Sequence, residues 1–167
     1  MRERGFGRVG SVTEPAVVEV EDLGDAWRVF WNGREYIASG EIEYAVPGNH
    51  PRLVNKVSGE VTTDFSLYLI DAWANYVDSW DQHPPHGDFY YLRGLKFRDE
   101  LEPCLHRCKQ EWRGWVADAD AQFAAITGED HRLRMRFPAD AAPGWWWDRM
   151  PLDPDAREDI LGGGATD

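Results

Sequence analysis

The sequence predicts an α+β fold: an N-terminal antiparallel β-meander packed by a helix, then a long amphipathic helix and a Trp-rich C-terminal segment. Three observations predict it. Apolar and polar residues alternate in the first third of the chain, apolar residues then recur at helical spacing, and Trp145-Trp146-Trp147 stands near the end. The 167 residues suit one domain. We expect a flexible N-terminus at 1–14, a domain at 15–150 (meander plus helix to 82, helical extension from 83), and an acidic flexible tail at 151–167.

Alternation of period two begins at Pro15 and continues to Thr63. Its first run places Val18 and Val20 on one predicted strand face and Val17 on the other. Two sequences predict hairpin turns: Asn32-Gly33 is typical of a type I′ turn, and Gly59 suits the last position of a three-residue loop. The predicted strands cover residues 16–21, 27–31, 34–37, 41–46, 52–56 and 60–63.

An aromatic stripe marks the helix predicted after the meander. Leu69, Trp73, Tyr76 and Trp80 recur every three or four residues, and Asp64 or Ser66 is suited to cap the helix. The stripe is wide enough to cover one face of the sheet. Residues 89–95 then predict a short strand or an irregular aromatic segment.

The second predicted helix is the longer one. Asp99 is its expected cap, Pro103 is tolerated in its first turn, and Gly128 follows its end. Beyond it, alternating arginines and apolar residues at 131–137 predict an edge strand. The acidic, Pro- and Gly-rich composition from Pro151 onward predicts a partly disordered tail.

Charge favours some partners over others. The chain carries 18 basic and 30 acidic residues, a formal charge of −12. This charge repels nucleic acid and anionic membranes and attracts a basic protein, although acidity also serves solubility. The basic start of the chain has no apolar run behind it, so we expect neither a secretory signal nor a membrane span. Two cysteines do not make a disulfide framework, and we expect a cytoplasmic protein.

Metal ligands are the first chemistry to consider. Cys104, His106 and Cys108 are close in sequence, but on one helix the histidine points away from the two thiols. A structural zinc site also needs a fourth ligand, so buried core thiols are favoured. His83 and His86, even with His50 added, fit a solvated turn. We expect no metal and no cofactor.

Catalytic motifs are not found in the sequence. It has no nucleophile elbow, no phosphate-binding glycine loop and no His-Glu-x-x-His. Asp118 and Asp120 diverge on a helix and do not form an acid–base pair. Glu41 and Glu43 share a strand face opposite the apolar residues, as on a solvated face. These observations favour a binding protein over an enzyme.

The tryptophan run is the remaining candidate contact site. Three adjacent indoles cannot all face one core, so we expect at least one to stay partly exposed. Tryptophan is enriched at interface hot spots, although the run also suits a staple of the C-terminal segment onto the core. The predicted partner-binding residues are Glu41, Glu43, Asp118, Asp120, Trp145, Trp146 and Trp147.

The stretch from Trp27 to Trp80 resembles the immunity protein 35 (YrhB-like) family. The resemblance rests on an aromatic strand, a Gly-Asn-x-Pro turn, a hydrophobic strand and a glycine hairpin. The matching residues are Trp27-Arg28-Val29-Phe30-Trp31, Tyr36, Gly40, Ala45, Gly48-Asn49, Pro51, Leu53-Val54 and Gly59-Glu60-Val61. The resemblance implies an antitoxin that neutralises a polymorphic toxin by direct binding.

Three functional hypotheses follow. The first is an immunity protein that binds a basic toxin, without direct nucleic-acid or membrane binding. The second is an acidic nucleic-acid mimic that inhibits a defence protein. The third is a small enzyme or ligand-binding protein with an aromatic pocket built from Trp73, Trp112 and Trp115.

Overall fold

A computed structural model describes residues 14–81, 87–137 and 144–162. The chain divides into two compact units, the first ending at Phe65 and the second beginning at Ser66. The first unit contains a four-stranded antiparallel sheet, and the second contains mostly helices. The predicted α+β class is therefore confirmed, with the sheet preceding the helices.

The sheet of the first unit is a meander in which neighbouring strands are consecutive in sequence. Its strands are β1 (Pro15–Asp22), β2 (Ala26–Gly33), β3 (Arg52–Asn55) and β4 (Val61–Thr63). All pairs are antiparallel. β1 and β4 form the two edges, and they differ in length by five residues.

A β-bulge interrupts the pairing of β1 with β2. Val17 lies opposite Trp31 and Val20 lies opposite Val29, so Val18 is the extra residue. Directly opposed residues share a sheet face, and Trp31 and Val29 are two apart on β2. Val17 and Val20 therefore share one face. The predicted unbroken alternation of β1 was wrong, because the bulge changes its phase.

The predicted hairpin at Asn32-Gly33 does not form. Gly33 is extended, with φ −62° and ψ 137°, and helix α1 (Arg34–Ser39) begins directly after it. The Asn32 side-chain oxygen accepts hydrogen bonds from the backbone N–H of Gly33 (2.8 Å) and of Val46 (2.9 Å). Asn32 thus anchors a returning segment, and the strand predicted at 34–37 is a helix.

The strand predicted at 41–46 is also absent from this part of the chain. Gly40 ends α1 in the left-handed conformation (φ 74°), and Ile42–Tyr44 then forms a short 3-10 helix. The hairpin predicted at Gly59 is confirmed. Gly59 has φ 72° and donates a hydrogen bond to the Asn55 carbonyl (2.9 Å), which joins β3 to β4.

Three helices form the core of the second unit: α2 (Ser66–Asp78), α3 (Asp88–Leu101) and α4 (Gln110–Ile126). α2 contacts both α3 and α4. The predicted aromatic stripe is buried, with Trp73 fully enclosed. α2 and α3 approach closely at Gly94, where an added Cβ would lie 2.1 Å from the Tyr76 ring. The absence of a side chain at Gly94 permits this approach.

The second predicted helix is divided in the structure. Residues 89–95, predicted as a strand or irregular segment, belong to α3, and Asp99 lies inside α3 instead of capping a later helix. Proline lacks the N–H that an α-helix needs, and around Pro103 the chain forms a 3-10 helix (Glu102–Arg107). α4 then begins at Gln110.

The C-terminal part is more ordered than the sequence predicted. β5 (Thr127–Glu129) pairs with β6 (Arg149–Pro151), and the predicted edge strand at 131–137 is instead a short helix, α5 (Arg132–Arg136). The predicted disordered tail contains α6 (Pro154–Gly162). Asp153 caps the N-terminus of α6 by accepting a hydrogen bond from the Ala156 N–H (2.9 Å).

Parts of two predictions lie outside the described residues: the flexible start at 1–13 and the end of the tail at 163–167. Within the described ranges, no helix has both the length and the apolar character needed to span a membrane.

Candidate functional site

Of the candidate metal ligands, the two cysteines pack within the second unit. Cys104 lies in the 3-10 helix and is half-buried, whereas Cys108 is buried and its thiol donates to the Cys104 carbonyl (3.4 Å). His106 is exposed. His83 and His86 lie outside the described residues. Among residues 14–81, 87–137 and 144–162, no cluster of His, Cys, Asp or Glu is arranged to hold a metal ion.

The proposed aromatic pocket is filled. Trp73 and Trp112 are buried, and the Trp73 ring lies 5.1 Å from the Phe123 ring. Trp115 is instead an exposed residue on α4. The three tryptophans therefore do not line a common cavity.

A shallow groove of about 430 Å³ lies elsewhere in the second unit. Arg132, Leu152 and Arg157 are among its lining residues. Asp130 binds Arg132 (2.6 Å), and the hydrogen bonds from Arg132 lower the pKa of Asp130 to about 2. Asp130, together with Glu158 in the groove lining, offsets the positive charge of Arg132 and Arg157.

Asp148 provides the nearest arrangement to an acid–base pair. Its carboxylate lies 3.1 Å from His131 Nδ1 and accepts two hydrogen bonds from Arg134 (2.9 and 3.0 Å). Arg134 lowers the pKa of Asp148, which keeps the carboxylate charged and weakly basic. His131 is exposed. The arrangement suits an ion pair better than proton transfer.

The two predicted aspartates of α4 do diverge, and only one is at the surface. Asp118 is exposed. Asp120 points inward, where it accepts hydrogen bonds from the Trp73 indole (2.9 Å) and from Arg98 (2.9 and 3.0 Å). The expected exposure of Asp120 was therefore wrong, because its carboxylate is hydrogen-bonded inside the second unit, while its assignment as a contact residue stays a prediction.

The tryptophan run forms a 3-10 helix (Trp145–Asp148) with two buried indoles. Trp146 and Trp147 both donate to Asp99, at 2.7 and 2.9 Å. Burial raises the pKa of Asp99, against the lowering effect of these two hydrogen bonds. Trp145 remains 40% exposed, as expected for one member of the run. The run mainly staples its segment onto the core.

The other predicted contacts, Glu41 and Glu43, lie in the first unit. Both are exposed, and they flank Ile42, whose exposure is 81%. Glu41 precedes the 3-10 helix and Glu43 lies within it, so they do not share a strand face as predicted. The charges of Glu43 and then Glu41 raise the pKa of the neighbouring Tyr44, with a smaller contribution from Glu35. Three carboxylates therefore contribute negative potential at the Tyr44 hydroxyl.

We call this region the acidic segment and define it as Glu35, Ile37, Glu41, Ile42 and Glu43. Ile37 is 45% exposed and adds a second aliphatic side chain. The two glutamates were predicted from the sequence as contact residues, but the exposed isoleucines were not, because a strand was predicted there. The triplet Glu41-Ile42-Glu43, directly after Gly40, was the signal that could have revealed the exposure of Ile42.

One face of the sheet is another surface of the first unit that exposes apolar side chains. Val17 and Val20 of β1, Trp27 of β2 and Val61 of β4 are all exposed. The strand register places them on the same face. Sequence reasoning missed this surface because the bulge at Val18 could not be seen in the alternation. Contiguous exposed apolar patches are typical of interaction sites.

The opposite sheet face carries a buried ion pair. Arg28 is fully buried and donates to Asp64 (2.5 Å) and Glu21 (3.1 Å). Asp64, one of the two predicted helix caps, is thus an ion-pair partner of the sheet.

No protein-family model, curated protein or solved structure matches this chain.

Proposed function

We propose that this chain is an immunity-type protein that neutralises a cognate toxin by direct binding. The observation that carries the proposal is Ile42, an almost fully exposed aliphatic side chain between the carboxylates of Glu41 and Glu43. The partner that this surface fits is a basic protein with an apolar contact point.

Electrostatic attraction and apolar burial have different roles on such a surface. Carboxylates steer a basic partner towards the site and raise the association rate, while a buried aliphatic anchor slows dissociation. The −12 charge of the chain extends the attraction beyond the acidic segment. A toxin that acts on nucleic acid would itself carry the basic surface that this arrangement attracts.

The resemblance to the immunity protein 35 family supports the same role. The acidic segment lies inside the stretch that resembles the family, between Trp31 and Ala45. The proposal also places the protein in the cytoplasm of the toxin-producing cell, where a newly made toxin must be blocked.

Co-expression with the product of the adjacent gene tests the proposal. We expect a complex that survives size-exclusion chromatography at low salt. Its association rate should fall about tenfold or more when the ionic strength rises from about 0.05 M to about 0.5 M. An unrelated basic protein of similar charge is the control for plain charge attraction. Failure to form a complex, or equal binding of the control protein, would rule out the proposed role.

A further inference from the structure

The sheet of the first unit has one apolar face that is open to solvent. Its exposed side chains are those of Val17, Val20, Trp27 and Val61, each between 43% and 60% exposed, and we call this surface the valine face. The opposite face contains the fully buried Arg28. A sheet is normally stabilised by packing its apolar face against another layer. In the part of the chain that the structure describes, the valine face is exposed where such a layer is usual.

Strand register makes the valine face continuous. Trp27 lies opposite Val54, and Val54 lies opposite Val61, so one apolar row crosses β2, β3 and β4. Val20 lies opposite Val29 in the neighbouring row. Directly opposed residues share a sheet face, and their side chains contact one another. The apolar side chains of all four strands therefore form one patch.

The charges on the valine face balance. The register places Asp22 and Arg52 on it, one charge of each sign. Lys56, which follows β3, binds Asp22 and lies over the Trp27 ring (5.2 Å). The chain as a whole carries −12. A basic partner therefore finds no excess of carboxylates on this face, and a second copy meets no local excess of like charge.

The size of the valine face suits a weak dimer. At ~3.3 Å per residue and ~4.8 Å between strands, the four strands cover roughly 370 Å² in projection. Interdigitating side chains add to this area, so two copies packed face to face would bury on the order of 1,000 Å² in total. Weak, reversible complexes have interfaces of this size.

We propose that the valine face binds the same face of a second copy, so that two four-stranded sheets pack as a sandwich. Both copies use the same surface, as in most twofold dimers. Apolar burial provides the attraction, and the repulsion between two chains of −12 opposes it. Salt screens this repulsion, so the dimer becomes stronger as the ionic strength rises. The proposed toxin complex responds to salt in the opposite direction, and the dimer does not depend on that function.

Sedimentation velocity of the full-length protein at about 5 to about 500 µM tests the dimer. We expect a monomer at the lowest concentration and a dimer at the highest, with more dimer at about 0.5 M than at about 0.05 M salt. Val61→Glu and Val20→Glu should each raise the dissociation constant of the dimer about tenfold or more, because a charge would be buried among valines. The matched control is Val57→Glu, since Val57 is 97% exposed in the loop between β3 and β4. It makes the same change in charge and should leave the dissociation constant nearly unchanged.

Circular dichroism of the three variants checks that each keeps the fold of the original protein. A monomer at every concentration, a dimer that salt weakens, or equal weakening by Val57→Glu and Val61→Glu would overturn the inference. Loss of binding to the adjacent gene product in Val61→Glu, without a dimer of the original protein, would assign the valine face to that partner and would also overturn it. Failure of the adjacent gene product to bind, with a dimer that Val61→Glu disrupts, would reject the proposed function alone.

Discussion

Several acidic residues are used inside the second unit. Asp99 accepts the indole hydrogen bonds of Trp146 and Trp147, and Asp120 accepts that of Trp73. Buried indole N–H groups need an acceptor, and a carboxylate can satisfy more than one. The high tryptophan content therefore explains some of the acidity. These carboxylates are used inside the second unit, whereas those of Glu41 and Glu43 are exposed on the first.

Asp130 makes the stability of the second unit depend on pH. Its pKa in the folded protein is about 2, below the ordinary value of 3.8, because Arg132 and Arg157 favour the charged form. This carboxylate therefore stabilises the fold above about pH 4, and the contribution is lost as the pH falls towards 2. Asp130→Asn should lower the free energy of unfolding at neutral pH by about 1 kcal/mol.

Urea unfolding between pH 2 and 7 measures this effect. The stability of the Asp130→Asn variant should change less between pH 4 and 2 than that of the original protein. Asp118→Asn, which alters an exposed carboxylate on α4, is the control and should leave the profile nearly unchanged. An identical slope for Asp130→Asn and the original protein would contradict the assignment.

Elements with strong local patterns were predicted well from the sequence. The strands β1 to β4 and helix α2 lie close to where periodicity placed them. Elements that depend on distant contacts were not. Asn32-Gly33 has turn chemistry, but Asn32 instead binds Val46, which lies 14 residues away. The helix α3 has little amphipathic pattern because Arg98, which binds Asp120, occupies a buried position.

The close contact of α2 with α3 gives a matched pair of glycine substitutions. Alanine favours a helix over glycine by about 1 kcal/mol. At Gly94 this gain should be outweighed, because the new Cβ would lie 2.1 Å from the Tyr76 ring. Gly94→Ala should therefore destabilise the protein by about 2 kcal/mol.

Gly114 is the control position, since it lies inside α4 and no atom lies within 4 Å of its added Cβ. Gly114→Ala should raise the free energy of unfolding by about 0.5–1 kcal/mol. Thermal melting of both variants measures the difference. Equal shifts in the same direction would show that the contact between Gly94 and Tyr76 does not limit the approach of the helices.

The chain is acidic overall, and two surfaces of its first unit expose apolar side chains. These are the acidic segment around Ile42 and the sheet face containing Val17, Val20 and Trp27. Composition predicted the charge, and motif analysis predicted a binding role. The apolar part of the surface could not be predicted, because exposure depends on the bulge in β1 and on the turn after Gly40. Asp118 and Trp145 stay predicted contacts in the second unit.

Binding of the adjacent gene product to variants of the acidic segment is the decisive test of a binding site there. The variants are Ile42→Ala and the double charge reversal of Glu41 and Glu43 to lysine. The control is a double reversal of Asp78 and Glu100 to lysine, which makes the same change in net charge at exposed positions of the second unit.

We expect Ile42→Ala to raise the dissociation constant about tenfold, since a hot-spot side chain contributes more than about 1 kcal/mol. The reversal at Glu41 and Glu43 should weaken binding at least as much at low salt, whereas the control should change it little. Equal weakening by both reversals, together with no effect of Ile42→Ala, would contradict a specific binding site at the acidic segment.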